Sequence, residues 1–271
     1  MARAIARSVA DVVEQLELDG DVVVTYDQLA AVAQRVGREA SQADTRLLAY
    51  ELQREGWLGP LRTRHAWEFL PGSRAGAYSS GDRFIEFRAQ RAVNSDWGGV
   101  LAMESAASLL GLAQRIPEQE VVALPDDQPF PKALNGAWRY VRIDIPADGR
   151  TTVNGLPSWN LEGLIVGIAT RPSAYKDIAG LGQWLPSAAA RADVGTVIRL
   201  LAQTPRTIAQ RAAYLSGVGG NQPACAAIVN AYPPSETAWL GPRVAGRGVF
   251  DQQTQVNDTV LHSYLEVGTG S

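Results

Sequence analysis

Arginine carries most of the chemical potential of this 271-residue sequence. Between Arg35 and Arg91 stand ten arginines and seven acids, a local excess of three positive charges in a chain whose net charge is −3. Such a patch suits a phosphate backbone, whereas the chain as a whole has no basic field. Inside the patch, Gln42, Arg46 and Tyr50 recur at helical spacing, with Gln53 at the edge of the same face. Arg62, Arg64 and His65 fall in a polar stretch between two short apolar runs. Arginine and glutamine are side chains that pair with guanine and adenine edges, so the set points to duplex DNA. Arg38 and Ser41, just ahead of it, complete the candidate DNA-binding residues. The competing reading is an ordinary solvated face on a module used for protein contact.

Other chemistries find less material. A metal-dependent nuclease needs clustered acids, usually with a lysine two positions after one of them. The only lysines are Lys132 and Lys176, and two positions before them stand Phe130 and Ala174. Asp144 and Glu162 read as surface carboxylates. Neither lysine is followed by Ser or Thr, so no phosphate-cradling loop of the GxxxxGK[ST] type exists. Two histidines, His65 and His262, and one cysteine, Cys225, leave little for a zinc site, and a single cysteine cannot form an internal disulfide. In its Ala-rich setting Cys225 reads as a small buried hydrophobe, and the tryptophans as core or interface material. No catalytic residue, metal or cofactor is therefore assigned. The first fifteen residues lack an apolar signal region, and the longest apolar stretch, Leu164–Ala169, is too short to span a bilayer. The expectation is a cytoplasmic protein with no membrane partner.

The elements that must position the arginines follow from pattern. Apolar residues from Ile5 to Leu16 predict a helix from Ala2 to about Leu18, and Val22–Val24 predicts a short strand. Thr25 and Gln28 form a capping box that opens a helix from Tyr26 to about Arg35. Gly37 permits a turn, Ser41 with Asp44 starts a third helix, and Gly56 ends it. That helix buries Thr45, Leu48, Ala49 and Leu52. Two strand candidates follow around the arginine-bearing tip, with Pro60 confining the first to a sheet edge. Helix, strand, two helices and a hairpin is the order of a winged helix-turn-helix, whose third helix can enter a major groove. Acids on helix one polarise the charge.

Residues 72–98 read as a connection, and 99–271 as an α+β domain. There, Leu101–Leu112 predicts a helix, and Val121–Leu124 and Tyr140–Ile145 predict strands across a proline-bearing loop. Four helices follow, the last closed by Gly217, and then a Gly- and Pro-rich tail with one strand near Thr259–Leu265.

The order of elements, with YDQLAAVAQR, GWLGPLRTRHAWEFLPG, VLAMESAASLLGLAQRIPEQEVVAL and AQRAAYL, resembles the AbiEi family, the antitoxins of type IV toxin–antitoxin systems. The resemblance runs over most of residues 1–245 and departs in the tail from Pro233. It implies an N-terminal winged helix on inverted repeats of its own promoter, with the reading segment at Ser41–Glu55 and the wing at Trp57–Leu70. It also implies a second domain that counters a nucleotidyltransferase-like toxin, without requiring a stable complex. The alternative function is a winged-helix transcription regulator whose second domain senses a small molecule.

Overall fold

The computed structural model describes residues 9–72, 79–244 and 246–265. The start of the first helix, including Ile5, and Arg74 of the arginine count lie outside the described residues. The chain divides into two compact units, Met1–Trp97 with Pro131–Asn135, and Gly98–Phe130 with Gly136–Ser271.

The first unit contains α1 (Ala10–Asp19), β1 (Val23–Thr25), α2 (Tyr26–Arg35), α3 (Gln42–Arg54), β2 (Leu58–Pro60), β3 (Ala66–Phe69) and α4 (Ile85–Val93). The left-handed Gly20 terminates α1, and Gly37 and Gly56 take the same conformation after α2 and α3. Val12, Leu16, Leu29, Val32, Leu48 and Leu52 are buried together with Trp57 and Phe69. The strands pair in the order β1-β3-β2, antiparallel throughout, with Pro60 on the edge strand where its missing N–H costs nothing. The element order is the one expected of a winged helix. Residues 72–98, expected as a connection, supply α4, whose Ala89 packs with Val23 and Ala66.

The second unit is α+β. It runs β4 (Val100–Leu101), α5 (Met103–Leu109), β5 (Glu120–Ala123), β6 (Trp138–Val141), β7 (Arg150–Val153), β8 (Leu156–Trp159), α6 (Leu161–Thr170), α7 (Ile178–Arg191), α8 (Val194–Leu201), α9 (Arg206–Val218) and α10 (Gln222–Ala231), then β9 (Ala238–Leu240), β10 (Val249–Asp251), β11 (Val256–Asp258) and α11 (His262–Leu265). A five-stranded sheet has the order β6-β5-β4-β8-β7, and a three-stranded one the order β10-β11-β9. One apolar cluster, with Val121, Ile165, Leu185, Leu215 and Leu240 among its members, joins helices and strands. Inside it, Glu104 is nearly fully buried and accepts from the Arg139 guanidinium and the Lys176 backbone N–H. Buried charge persists only when paired in this way.

Several boundaries differ from the pattern reading. The helix expected from Leu101 is preceded by β4, and Gly217 lies within α9 rather than closing it. A Cβ at Gly217 would sit 3.3 Å from Cys225, so the glycine serves the close approach of α10, and left-handed Gly220 follows the helix end. Thr259–Leu265 is not a strand. The Asp258 carboxylate accepts from the backbone N–H groups of Val260 and Leu261, turning the chain out of β11 toward α11.

Gly163 in the first turn of α6 marks another close approach. A Cβ there would lie 2.0 Å from the Gly149 carbonyl oxygen, a backbone atom that cannot swing away. Gly163→Ala should therefore destabilise the second unit by about 1–3 kcal/mol. Gly195 in α8 is the control, since its nearest neighbour would be an ordinary 3.6 Å away. Urea unfolding of both variants checks this: equal midpoints would show that the α6 contact is not limiting.

Candidate nucleic-acid interface

The segment holding the candidate residues is built by local hydrogen bonds. At the start of α2, Thr25 Oγ1 accepts from the Gln28 N–H at 3.2 Å, and Gln28 Oε1 accepts from the Thr25 N–H at 2.8 Å. Ser41 caps α3 by accepting from the Asp44 N–H at 3.3 Å, and Thr45 Oγ1 donates back to the Ser41 carbonyl at 3.0 Å. With Thr45, Leu48, Ala49 and Leu52 buried, the opposite face of α3 must be exposed. Gln42, Arg46 and Tyr50 lie on it, as does Leu47, which the sequence reading passed over. Tyr50 is 62% exposed and Leu47 57%, so this solvent-facing side is unusually apolar as well as cationic. Gln53 is half-buried and donates to the Ala49 carbonyl.

Tyr26 ties this helix to the wing. Its N–H donates to the His65 carbonyl at 2.8 Å, and its hydroxyl donates to the Gln42 carbonyl at 3.0 Å. Its ring meets the His65 imidazole edge-on at 6.2 Å between centroids. His65 itself adopts φ +62°, a left-handed conformation uncommon outside glycine. The sequence-assigned residues of helix and wing are thus brought together by one tyrosine that the sequence reading used only as a helix start.

The wing tip is held from α4. The Glu86 carboxylate accepts from the Arg62 N–H at 2.6 Å, the Thr63 N–H at 3.1 Å and the Thr63 hydroxyl at 3.0 Å. The Arg62 guanidinium donates to the Asn135 carbonyl at 2.9 Å, so this arginine braces the tip against the returning segment 131–135. Beside it lies a shallow groove of about 840 Å³ lined by Arg64, His65, Gln90 and Lys132 among others, with no carboxylate in its wall. Lys132 was missed because it lies far along the chain, in a proline-bearing loop with no local signal.

Other arginines of the patch are spent internally. Arg35 bonds Asp19 at 2.5 Å and holds that carboxyl below its usual range, with Gln15 assisting. Arg88 pairs with Asp82 at 2.8 Å, Arg91 donates to the Trp97 carbonyl, and Arg83 lies 4.4 Å over the Phe84 ring. Arg38 is half-buried, and Arg46 and Arg64 are exposed without an ion pair among the described residues.

The remaining candidates for chemistry are engaged elsewhere. Asp144 bonds Arg150 at 2.7 Å, and Glu162 accepts from the Asp193 N–H. Cys225 is buried, and burial, followed by the Asp251 charge, pushes its thiol up to about 11. Among the described residues, no three His, Cys, Asp or Glu side chains are grouped to hold a metal, and no helix is long and apolar enough to cross a membrane.

With this geometry in place, the comparisons are specific. Residues 99–218 match the AbiEi antitoxin C-terminal domain family. The fold is similar to the crystal structure of the RV2827C protein from Mycobacterium tuberculosis, with a TM-score of 0.80, 26% sequence identity and coverage of 99% of this chain and 97% of that one. No curated protein matches the chain.

Replacing Glu86 by Ala removes the acceptor shared by three donors at the wing tip. Amide hydrogen exchange at Arg62 and Thr63 should accelerate about tenfold or more, with little change in the exchange of the α3 core amides. Unchanged protection at those two amides would show that the tip is held by something other than Glu86.

Proposed function

We propose that the chain is an antitoxin of a toxin–antitoxin system, a reading supported by the match of residues 99–218 to the AbiEi antitoxin C-terminal domain family, and that its first unit binds operator DNA and represses its own operon. The observation that carries this reading is the single exposed surface made by Gln42, Arg46 and Tyr50 of α3 with Arg64 of the wing, linked through Tyr26. In it, α3 enters the major groove, Arg46 and Gln42 reach base edges, and Tyr50 with Leu47 packs against thymine methyls or the sugar edge. Ser41 and Arg38, at the helix start, contact the backbone. Arg64, His65 and Lys132 take phosphates beside the wing, and Arg62 holds the tip that presents them. The operator is an inverted repeat read by two copies.

The second unit counters the toxin, which on this reading is a nucleotidyltransferase-like enzyme antagonised without an obligatory stable complex. The protein acts in the cytoplasm as a type IV antitoxin and catalyses no reaction itself. A regulator with a small-molecule-sensing second domain remains the rival, and the two separate on whether expression of the chain rescues growth from a neighbouring toxin.

Titrations of promoter DNA at several salt concentrations test the DNA reading. Arg46→Ala should lower specific affinity by about 1–3 kcal/mol while leaving non-specific binding nearly unchanged. Arg64→Ala and Lys132→Ala should weaken both kinds of binding and each flatten the log–log salt dependence by about one unit. Full affinity and slope in all three variants would remove the groove assignment. In a growth-rescue assay with the toxin under an independent promoter, Arg46→Ala should rescue like the parent. Loss of rescue there would route neutralisation through the DNA-reading face.

A further inference from the structure

A second cationic cleft lies wholly within the second unit and has no role assigned above. It has a volume of about 610 Å³ and lies between the chain following α6, helix α9 and the turn after β9. Its charged lining groups are Arg171, Lys176, Arg211 and Arg243, the half-buried Trp239 lines it too, and no carboxylate does. Four cations line it without an acid, an arrangement that an anion would stabilise.

The cleft is built rather than incidental. Arg211 projects from α9 and is fixed by two backbone carbonyls, donating through Nε to Trp239 at 2.8 Å and through Nη1 to Ala169 at 3.0 Å. The remaining edge of its guanidinium is left for a ligand. Burial, followed by the neighbouring Arg243 charge, holds its pKa below the usual arginine value. Arg171 and Arg243 are exposed at the rim and carry no ion pair among the described residues. Lys176 donates to the Ser173 carbonyl, which keeps its ammonium beside the same opening.

We propose that this cleft binds a nucleotide, with its phosphates held by Arg171, Arg211 and Arg243 and its base laid against the Trp239 indole. Guanidinium forks match phosphate oxygens in pairs, and an indole beside them offers a stacking face for any base. The volume falls within the roughly 300–1,000 Å³ of small-molecule sites, larger than a lone phosphate requires. A nucleic-acid strand would instead need a cationic track running on beyond the cleft.

Calorimetric titration of the full chain with ATP, GTP, inorganic pyrophosphate and a single-stranded oligonucleotide of about 12 nucleotides tests this. The expected result is saturable one-to-one binding of a nucleotide in the micromolar range, weakened about tenfold by Arg171→Ala and by Arg243→Ala. Neither rim arginine makes an internal side-chain bond among the described residues, so both variants should keep the parent's melting midpoint. Trp239→Leu should weaken nucleotide binding and leave pyrophosphate binding unchanged. The proposal is overturned if no nucleotide saturates the protein, or if the two arginine variants bind it as the parent does. Pyrophosphate binding as tightly as any nucleotide would reduce the site to a phosphate pocket and overturn the assignment of the base. An oligonucleotide that displaces the nucleotide through the same arginines would overturn it in favour of a strand-binding track.

Discussion

Tyr26 is the residue on which the geometry of the first unit turns. As the first residue of α2 its backbone N–H lacks an intrahelical partner, and it finds one in the His65 carbonyl at the start of β3. Its hydroxyl reaches the first carbonyl of α3, and its ring supports the left-handed His65. Three segments that are distant in sequence are therefore fixed by one side chain and one amide. The Thr25–Gln28 capping box, the Ser41 cap and the apolar stripe decide that the helices form, but they leave the helix face and the wing tip free to rotate independently. The Tyr26 contacts remove that freedom, so Arg46 and Arg64 belong to one surface rather than to two mobile ones. For a partner with a repeating backbone, this preorganisation lowers the ordering cost of binding.

In the second unit the equivalent constraint is buried charge. Glu104 stands at the start of α5, almost excluded from solvent, and its two oxygens are divided between Arg139 on β6 and the backbone ahead of α7. Beside it Ser105 donates to the buried Glu120 carboxylate and accepts from the Val121 N–H at 2.7 Å. A polar arrangement of this kind adds little net stability over an apolar one, but a wrong register would leave a carboxylate stranded in the core. It therefore selects one alignment of α5, β5 and β6 from a sheet whose apolar faces would tolerate others. The cationic cleft opens on the segment that this network holds at Lys176.

What the sequence disclosed and what it hid separate by range. The bounds of α2 follow from Thr25, Gln28 and Arg35, all local, and the buried stripe of α3 follows from periodicity alone. The hairpin β7–β8 was also locally encoded, by Asn154-Gly155, whose φ values of +52° and +73° are those of a two-residue hairpin turn, yet Pro157 and the short apolar runs masked it. Helix α10 went unread because Gly217 looked like a stop, although its lack of a side chain serves packing against Cys225. Glu86 and Lys132 were not legible at all. Each acts on the wing from a distant stretch of chain, and nothing in periodicity, capping or composition reports a contact of that range.

The same distinction governs charge. Ten arginines between Arg35 and Arg91 suggest a broad positive field, but the structure spends several of them on Asp19, Asp82, the Trp97 carbonyl and the Phe84 ring. A paired or carbonyl-bound guanidinium still counts toward net charge, yet its field beyond about 8–10 Å is screened or cancelled by its partner. What a phosphate meets is set by the unspent cations, Arg46, Arg64 and the sequence-distant Lys132. In the second unit, Arg211 is likewise partly committed to two carbonyls, while Arg171 and Arg243 are not. Both units thus use one anchored arginine, Arg62 or Arg211, to fix the local backbone, and leave neighbouring cations without an internal partner among the described residues. Net charge alone distinguishes neither surface from the acidic background. The pattern of satisfied and unsatisfied donors distinguishes both, and on the readings proposed above a continuous backbone suits the open groove and a compact phosphate ester the cleft.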